Sequence, residues 1–314
     1  MKEKIKKIVS AFFFSEADKQ TLALLRIGLA SLMLVEAVSI LPDVSELFGQ
    51  SGLLDSQLMK ALGIQLLPNL HFLWKEIPFE FGTILKSVFY LYCFSLVILL
   101  VGFSTRFATI SVWLTQAFLM NCSYLGVYGV DRYFQLIIFL AVFSPWGEKL
   151  SVDSYRHKSE TSAKVHFFWH RTMQIAIAMT YANAGIAKSL GTDWWDGTAV
   201  WRAIHLPEFQ QIDLIWLGSW PLLFKILGWA TLLFESTFPL VLLSKRFRWI
   251  AVPAMVGMHI GIGLFLGLHL FAVTMILFDI LLFLVPDILA RRQTLPAIKS
   301  KTFFGGRPMT AFPS

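Results

Sequence analysis

The chain reads as an all-α, polytopic integral membrane helix bundle of about eight transmembrane helices, with both termini in the cytoplasm. Three observations carry this reading. Apolar residues make up 56% of the 314 residues and charged residues 15%, more apolar surface than one soluble core requires. The apolar residues gather in runs near the ~20 residues that cross ~30 Å of hydrocarbon as a helix. Lysines and arginines fall in alternate connecting segments, as the positive-inside rule demands.

The N-terminal KEKIKKIVSAFFF joins a basic stretch to a short apolar one, interrupted by Glu16, Asp18 and Lys19 with no small-residue cleavage site. It predicts an amphipathic helix lying on the inner surface. Spans follow near 22–41, 83–103, 107–125, 130–146, 170–190, 220–243, 249–267 and 270–289. The connections at Ser104–Arg106 and Gly267–His269 are short enough for tight hairpins, and a division misplaced there would make the count seven or nine. Basic residues mark one side: Lys2, Lys4, Lys6, Lys7 and Lys19; Arg106; Lys149, Arg156, Lys158 and Lys164; Lys245, Arg246 and Arg248; and Arg291 onward.

The other connections are poor in basic residues. Two of them, 42–82 and 191–219, are rich in Leu66, Leu67, Phe72, Leu73, Trp74, Trp194, Trp195, Trp201 and Trp216, which predicts short helices at the outer surface capping a cavity. Residues 1–292 form one membrane domain, and 293–314, with Pro296, Gly305, Gly306, Pro308 and Pro313, form a short cytoplasmic tail. Cys93 and Cys122 lie inside spans, outside any CxxC pattern, and read as buried small residues. The net charge of +7 is spread over loops in a membrane pattern, so no nucleic-acid partner is predicted; the partners implied are lipids. The sequence has no Walker A loop, Rossmann glycine pattern, HExxH or nucleophile elbow.

Each ionisable side chain inside a span costs about 2.5–3.5 kcal/mol on insertion scales and so needs a reason. Arg26 lies near the inner end of the first span and is expected to snorkel. Glu36, further out, is a candidate partner for Lys188 or Arg132. Asp131 and Arg132 open the fourth span, where Asp131 suits a helix N-terminus and the two project about 100° apart. Glu235, His259 and Asp279 sit on three consecutive spans at similar depth, which predicts a shared polar network that includes Glu36. Their positions on separate helices give no metal-ligand spacing, and no metal is predicted. Gly257 and Gly261 flank His259 in a small-xxx-small pattern that predicts close helix packing there.

In the fifth span Gln174, Tyr181 and Lys188 recur every seven residues, nearly two helical turns, so they share one face among Ile175, Ile177, Met179 and Ile186. A polar stripe on a membrane helix faces the bundle interior or a wet cavity. Lys188 near the helix end reads either as an interfacial anchor beside an aromatic belt of Trp194 and Trp195, or as a neutral general base held in a pocket.

The order Arg171, Gln174, Tyr181, Ala184-Gly185, Lys188, then Trp195-Asp196-Gly197 with Ala199, resembles the signature of the horizontally transferred transmembrane (HTTM) domain, the membrane domain of vitamin K-dependent gamma-carboxylase. LLRIGLASLML, YGVDRYFQLIIFLAVFSP with LSVD, WATLLFESTFPLVL and GMHIGIGLF extend the resemblance in the same order. It implies that Lys188 is the catalytic base of an outward-facing site for a reduced, vitamin K hydroquinone-like quinone. Gln174, Tyr181, Asp131, Arg132 and Trp195 would line that site, with Glu235 and His259 tuning it. In the carboxylase the oxygenated quinol removes a glutamate γ-proton. Ala187 stands here where that enzyme has a first lysine, and the chain ends soon after its last span, without the carboxylase's large extracytoplasmic domain. Short bacterial members of the family, such as the sporulation-delaying-protein B group, are tied to maturation of a secreted peptide. The resemblance therefore implies a multi-pass protein of a bacterial cytoplasmic membrane: a quinol-dependent modifying enzyme, or a non-catalytic maturation factor binding a secreted or periplasmic peptide. A transporter is disfavoured by the absence of an internal repeat.

Overall fold

A computed structural model describes residues 2–15, 19–48, 80–122, 128–157 and 161–294, and every regular element among them is helical. An amphipathic α1 (Lys2–Phe13) precedes α2 (Gln20–Ile40), which runs through a 3-10 turn into α3 (Val44–Phe48). There follow α4 (Phe81–Val101), α5 (Thr105–Cys122), α6 (Gly129–Phe143), α7 (Val152–Arg156) and α8 (Ala163–Ser189). Beyond them come α9 (Thr192–Asp196), α10 (Thr198–His205) and a 3-10 turn (Ile215–Ser219). The last group is α11 (Pro221–Thr237) with its 3-10 continuation (Phe238–Leu242), α12 (Lys245–Leu266), α13 (His269–Phe278), a π-helical segment (Asp279–Leu284) and α14 (Val285–Thr294).

Each predicted span overlaps a helix. Among the described residues, five stretches are long and apolar enough to cross a membrane: Gln20–Leu47, Gly82–Val101, Pro221–Leu242, Lys245–Leu266 and His269–Ala290. Helices α5, α6 and α8 fall outside that set for a physical reason: α6 has only 15 residues, and α5 and α8 carry many hydroxyl, amide and charged side chains. The long helices close a ring in which α2 packs on α4, then α5, α6, α8, α11, α12 and α13 follow as successive neighbours, and α13 returns to α2. The buried face of α2, Leu22, Leu25, Leu29 and Met33, follows the helical period and joins Phe278 and Leu282 in the central core.

The end of the bundle that gathers the basic loops is organised by unmet backbone carbonyls. A helix leaves its last four carbonyls without internal partners, and they need donors when buried. Gly102, at φ +72°, ends α4 and returns its N–H to the Ile98 and Leu99 carbonyls. Arg26 supplies the rest: Nη1 donates to the Leu99 and Leu100 carbonyls at 2.5 and 2.8 Å, and Nη2 to the Leu150 carbonyl at 2.5 Å. This corrects the snorkelling expectation, because Arg26 is fully buried. The carbonyls at the end of α4 offer nearer acceptors than water. Leu150 and Ser104 both have positive φ, 49° and 45°, so this end holds two strained non-glycine residues.

Asp153 fixes the neighbouring turn. Its oxygens accept the Ser104 N–H at 2.8 Å, the Thr105 N–H at 2.6 Å and the Thr105 hydroxyl at 2.7 Å, at the start of α5. Burial pushes this carboxyl up, but the hydrogen bonds from Thr105 and Ser104 outweigh it and hold Asp153 below the ordinary aspartate range.

Two further expectations change, and one falls partly outside the described residues. Cys93 and Cys122 are free thiols but only half-buried. Segment 191–219 contains helices as expected, whereas residues 49–79, with Leu66, Leu67, Phe72, Leu73 and Trp74, lie outside the described residues. Among the described residues Gly257 and Gly261 do not mediate close packing: a Cβ on Gly257 would meet nothing there, and one on Gly261 only Phe265 of its own helix. Residues two apart on a helix point about 200° apart, so with His259 turned inward these glycines turn outward. Close approach occurs at Gly263, Gly185 and Gly228 instead.

Arg26→Met leaves the Leu100 and Leu150 carbonyls without donors and Leu99 with only the Gly102 N–H, and unfolding in detergent should show a loss of about 2–4 kcal/mol, with Arg26→Lys recovering only part because one ammonium cannot span the three acceptors. The depressed Asp153 carboxyl stabilises the fold above its unfolded pKa, and that contribution disappears as pH falls through the folded value. Thermal unfolding should therefore separate wild type from Asp153→Asn at pH 7, and the gap should close below about pH 4.

Candidate functional site

The polar stripe of α8 faces the bundle interior and meets three different elements in turn. Nearest the basic end, Gln174 Nε2 donates to the Leu282 carbonyl at 2.5 Å, and His170 Nε2 lies 2.9 Å from the same oxygen. That oxygen is available because the residue four places on is Pro286, which has no N–H to give it. The helix widens there into the π segment, and two side chains of α8 replace the missing backbone donor. Gln174 also accepts from Arg171 Nη1 at 2.8 Å, and Arg171 Nε donates to the Phe12 carbonyl at 3.1 Å, docking the end of α1.

Two turns further along, the Tyr181 hydroxyl lies 2.8 Å from His259 Nε2 and 3.0 and 3.1 Å from the Asp279 oxygens. All three side chains are buried, and Phe238 packs 4.5 Å from the tyrosine ring. The hydroxyl has one proton to donate. When it goes to Asp279, His259 Nε2–H must donate to the tyrosine oxygen; when it goes to His259, the carboxyl must bring its own proton. Tyr181 therefore links a base and an acid through which a proton can shift without a heavy atom moving.

At the far end Lys188 Nζ meets Glu235 Oε2 at 2.6 Å, with side chains 26% and 6% exposed. The carboxylate sits behind the amine, which stays partly open. Gly185 makes this approach possible, since a Cβ there would come within 2.5 Å of the Ser236 nitrogen. The Trp194 ring covers the amine, its centroid 5.3 Å from Nζ.

The segment after α8 folds down against the first half of α11. Gly197, at φ +85°, seats against the backbone of Phe224 and Lys225, and Trp229 Nε1 donates to the Trp195 carbonyl at 2.8 Å. Trp195 Nε1 donates to the Ser189 carbonyl at 2.9 Å, and its ring is otherwise exposed. Asp196, just ahead of the Gly197 N-cap, accepts the Thr198 N–H at 2.8 Å, and Arg202 pairs with Asp193 at 2.7 Å. The lysine is thereby roofed by α9.

The remaining sequence candidates divide. Glu235, His259 and Asp279 all meet the α8 stripe, in two groups: Glu235 with Lys188, and His259 with Asp279 through Tyr181. Lys188 pairs with Glu235 and not with Glu36. Asp131 accepts the Tyr128 N–H at 2.8 Å, capping α6, while Arg132 follows it in the same turn. Glu36, Asp131 and Tyr92 lie close enough to interact electrostatically. Sequence reading missed His170, one turn before Gln174 on the same face, and the Arg248–Asp287 pair at 3.0 Å. Pro286 four residues after Leu282 was the available signal for the first, because it announces an orphaned carbonyl. Nothing in the spacing announced the second.

This ordered set of buried polar contacts falls inside one stretch, residues 14–287, matched by the sequence model of the HTTM domain. The chain belongs to the HTTM domain family. Five apolar helices and this membership make it a multi-pass membrane protein. No curated protein and no solved structure matches the chain. The HTTM domain takes in all of α2 through α13, and hence the whole α8 stripe with its partners.

Tyr181→Phe keeps the ring against Phe238 but leaves His259 and Asp279 without their common partner. Unfolding of the detergent-solubilised HTTM protein should show a loss of about 1–3 kcal/mol. A double-mutant cycle with Asp279→Asn should give a coupling clearly different from zero.

Proposed function

We propose that this HTTM protein crosses the membrane eight times with both termini in the cytoplasm, and that Lys188 and Glu235 form an outward-facing proton-abstracting site related to that of gamma-carboxylase. The observation that carries the reading is the 2.6 Å contact between a partly open amine and a carboxylate buried behind it. A proton taken up at Lys188 Nζ has a direct onward acceptor in Glu235 Oε2. An isolated interfacial anchor would need no such partner, and a carboxylate buried behind the amine carries a desolvation cost of several kcal/mol that only close pairing offsets.

A reduced quinone fits the donor set: Trp194 offers an aromatic face beside Nζ, and the amine is positioned to take a phenolic proton. When bound, the quinol supplies an acidic hydroxyl and, on oxygenation, a strong base. Lys188 would take the hydroxyl proton and Glu235 would share it. Gln174 and Tyr181 would support the site from behind, since both are buried and engaged by Leu282 and by His259 and Asp279. Asp131 and Arg132 at the start of α6 would complete the outer rim.

A second reading rests on Trp195, Trp216 and Trp220, all largely exposed on the segment that joins α8 to α11. There a secreted peptide would be the ligand, and the lysine pair would only brace the surface.

Quinol oxidation by purified protein separates the two. Lys188→Ala should lower turnover about 10²–10⁴-fold. Lys188→Arg should not restore it, because a guanidinium does not release its proton, and Glu235→Gln should give an intermediate loss. Equal turnover in wild type and all three variants would remove the base role. Loss of peptide crosslinking in Trp195→Ala, with Lys188→Ala unaffected, would favour the peptide-binding reading.

A further inference from the structure

The apolar face of α1 is left uncovered among the described residues. Ile5, Ile8, Val9 and Phe12 recur at the i, i+3, i+4, i+7 spacing of one helix face. Residues 2–11 are all exposed, with Ile5 at 54%, Ile8 at 60% and Val9 at 47%. The described residues hold α1 at its last turn: Arg171 donates to the Phe12 carbonyl and lies over the Phe12 ring at 4.7 Å, and Phe13 and the following Phe14 meet Phe168. Just beyond, Lys19 donates to the Thr161 carbonyl. A helix of 12 residues is marginal in water by itself, so the face from Ile5 to Phe12 needs a cover.

Charge indicates what that cover is. At about 100° per residue, Lys2, Lys4 and Lys6 lie about 70–110° from the centre of the apolar face, along its two borders, while Glu3 points almost directly away from it. Four lysines against one glutamate make α1 strongly basic, and none of the four makes a hydrogen bond or ion pair among the described residues. A second copy of α1 would carry the same charge and be repelled. The bilayer is always within reach, because a stretch long and apolar enough to cross it begins at Gln20, seven residues after Phe13. A short apolar face gives only a reversible hold, and stable seating takes a second, electrostatic signal.

We propose that α1 binds the surface of its own membrane where that surface carries anionic phospholipid, with Ile5, Ile8, Val9 and Phe12 entering the acyl boundary and Lys2, Lys4 and Lys6 reaching the lipid phosphates along both borders. Lysine stems lie along apolar surface and carry their ammonium groups out to the phosphate level. Each lysine at an anionic surface strengthens the hold about fivefold. Charge, and not the apolar face alone, then decides whether α1 is seated. The seat connects to the bundle interior through Arg171, which holds the Phe12 carbonyl on one side and Gln174 on the other. This inference is independent of the Lys188 site.

The test is amide hydrogen exchange of the full chain in lipid nanodiscs of phosphatidylcholine alone or of equimolar phosphatidylcholine and phosphatidylglycerol. Residues 2–13 should exchange about tenfold more slowly, or slower still, in the anionic discs, and about 1 M salt should remove most of the difference. Lys2→Gln, Lys4→Gln and Lys6→Gln together should exchange alike in the two discs, whereas Lys2→Arg, Lys4→Arg and Lys6→Arg together should keep the wild-type difference. All three positions are exposed, and unchanged exchange in α2 and α8 checks that the bundle is intact. Equal exchange of wild-type α1 in the two discs, slow in both or fast in both, would overturn the proposal, as would a difference that survives in the glutamine variant. Protection that follows the number of protein copies per disc, and not the lipid, would reassign the face to a second copy.

Discussion

The structure depends on how a membrane bundle satisfies backbone carbonyls that its helices cannot satisfy themselves. In hydrocarbon each such group left alone costs several kcal/mol, and no water is at hand to correct it. Here two side-chain clamps meet the need. Arg26 gathers the Leu99, Leu100 and Leu150 carbonyls and so ties α2 to the end of α4 and to the loop after α6. His170 and Gln174 take the Leu282 carbonyl and tie α8 to the last membrane helix. Both clamps act between elements distant in sequence, and together they close the ring of helices.

The second clamp also determines what α8 presents to the interior. With Gln174 fixed on Leu282, helical spacing leaves Tyr181 no choice but to face α12 and the π segment, and Lys188 to face α11. The same stripe thus does structural work at one end and holds an open, paired amine at the other. Arg171 extends the linkage outward to the end of α1, where Phe13 and the following Phe14 pack against Phe168.

Much of this was legible in the sequence, and the reasons are specific. Helix positions followed from apolar runs, and the Gln174–Tyr181–Lys188 face followed from a period that needs no tertiary information. Glu235, His259 and Asp279 were recognisable as a set because a charge inside a span demands a partner. Which partner each would take was not legible, since that depends on helix order around the ring. Arg26 was misread because snorkelling is judged from depth alone, whereas its real acceptors come from α4 and the loop after α6. The glycine pair around His259 was misread by attending to a motif and not to the direction in which the intervening histidine must point.

The wide turn at Asp279–Leu284 has a consequence of phase. On α12, His259 and Arg248 stand eleven residues apart, about three full turns, so they look out along nearly one line. The aspartates they reach on the last helix, Asp279 through the Tyr181 hydroxyl and Asp287 directly, stand eight apart, and in an unbroken α-helix that spacing would drift by about 80°. The π segment falls between the two aspartates and unwinds the chain there, bringing them toward the same line. One interruption thus lets a single helix keep register with α12 at two depths at once.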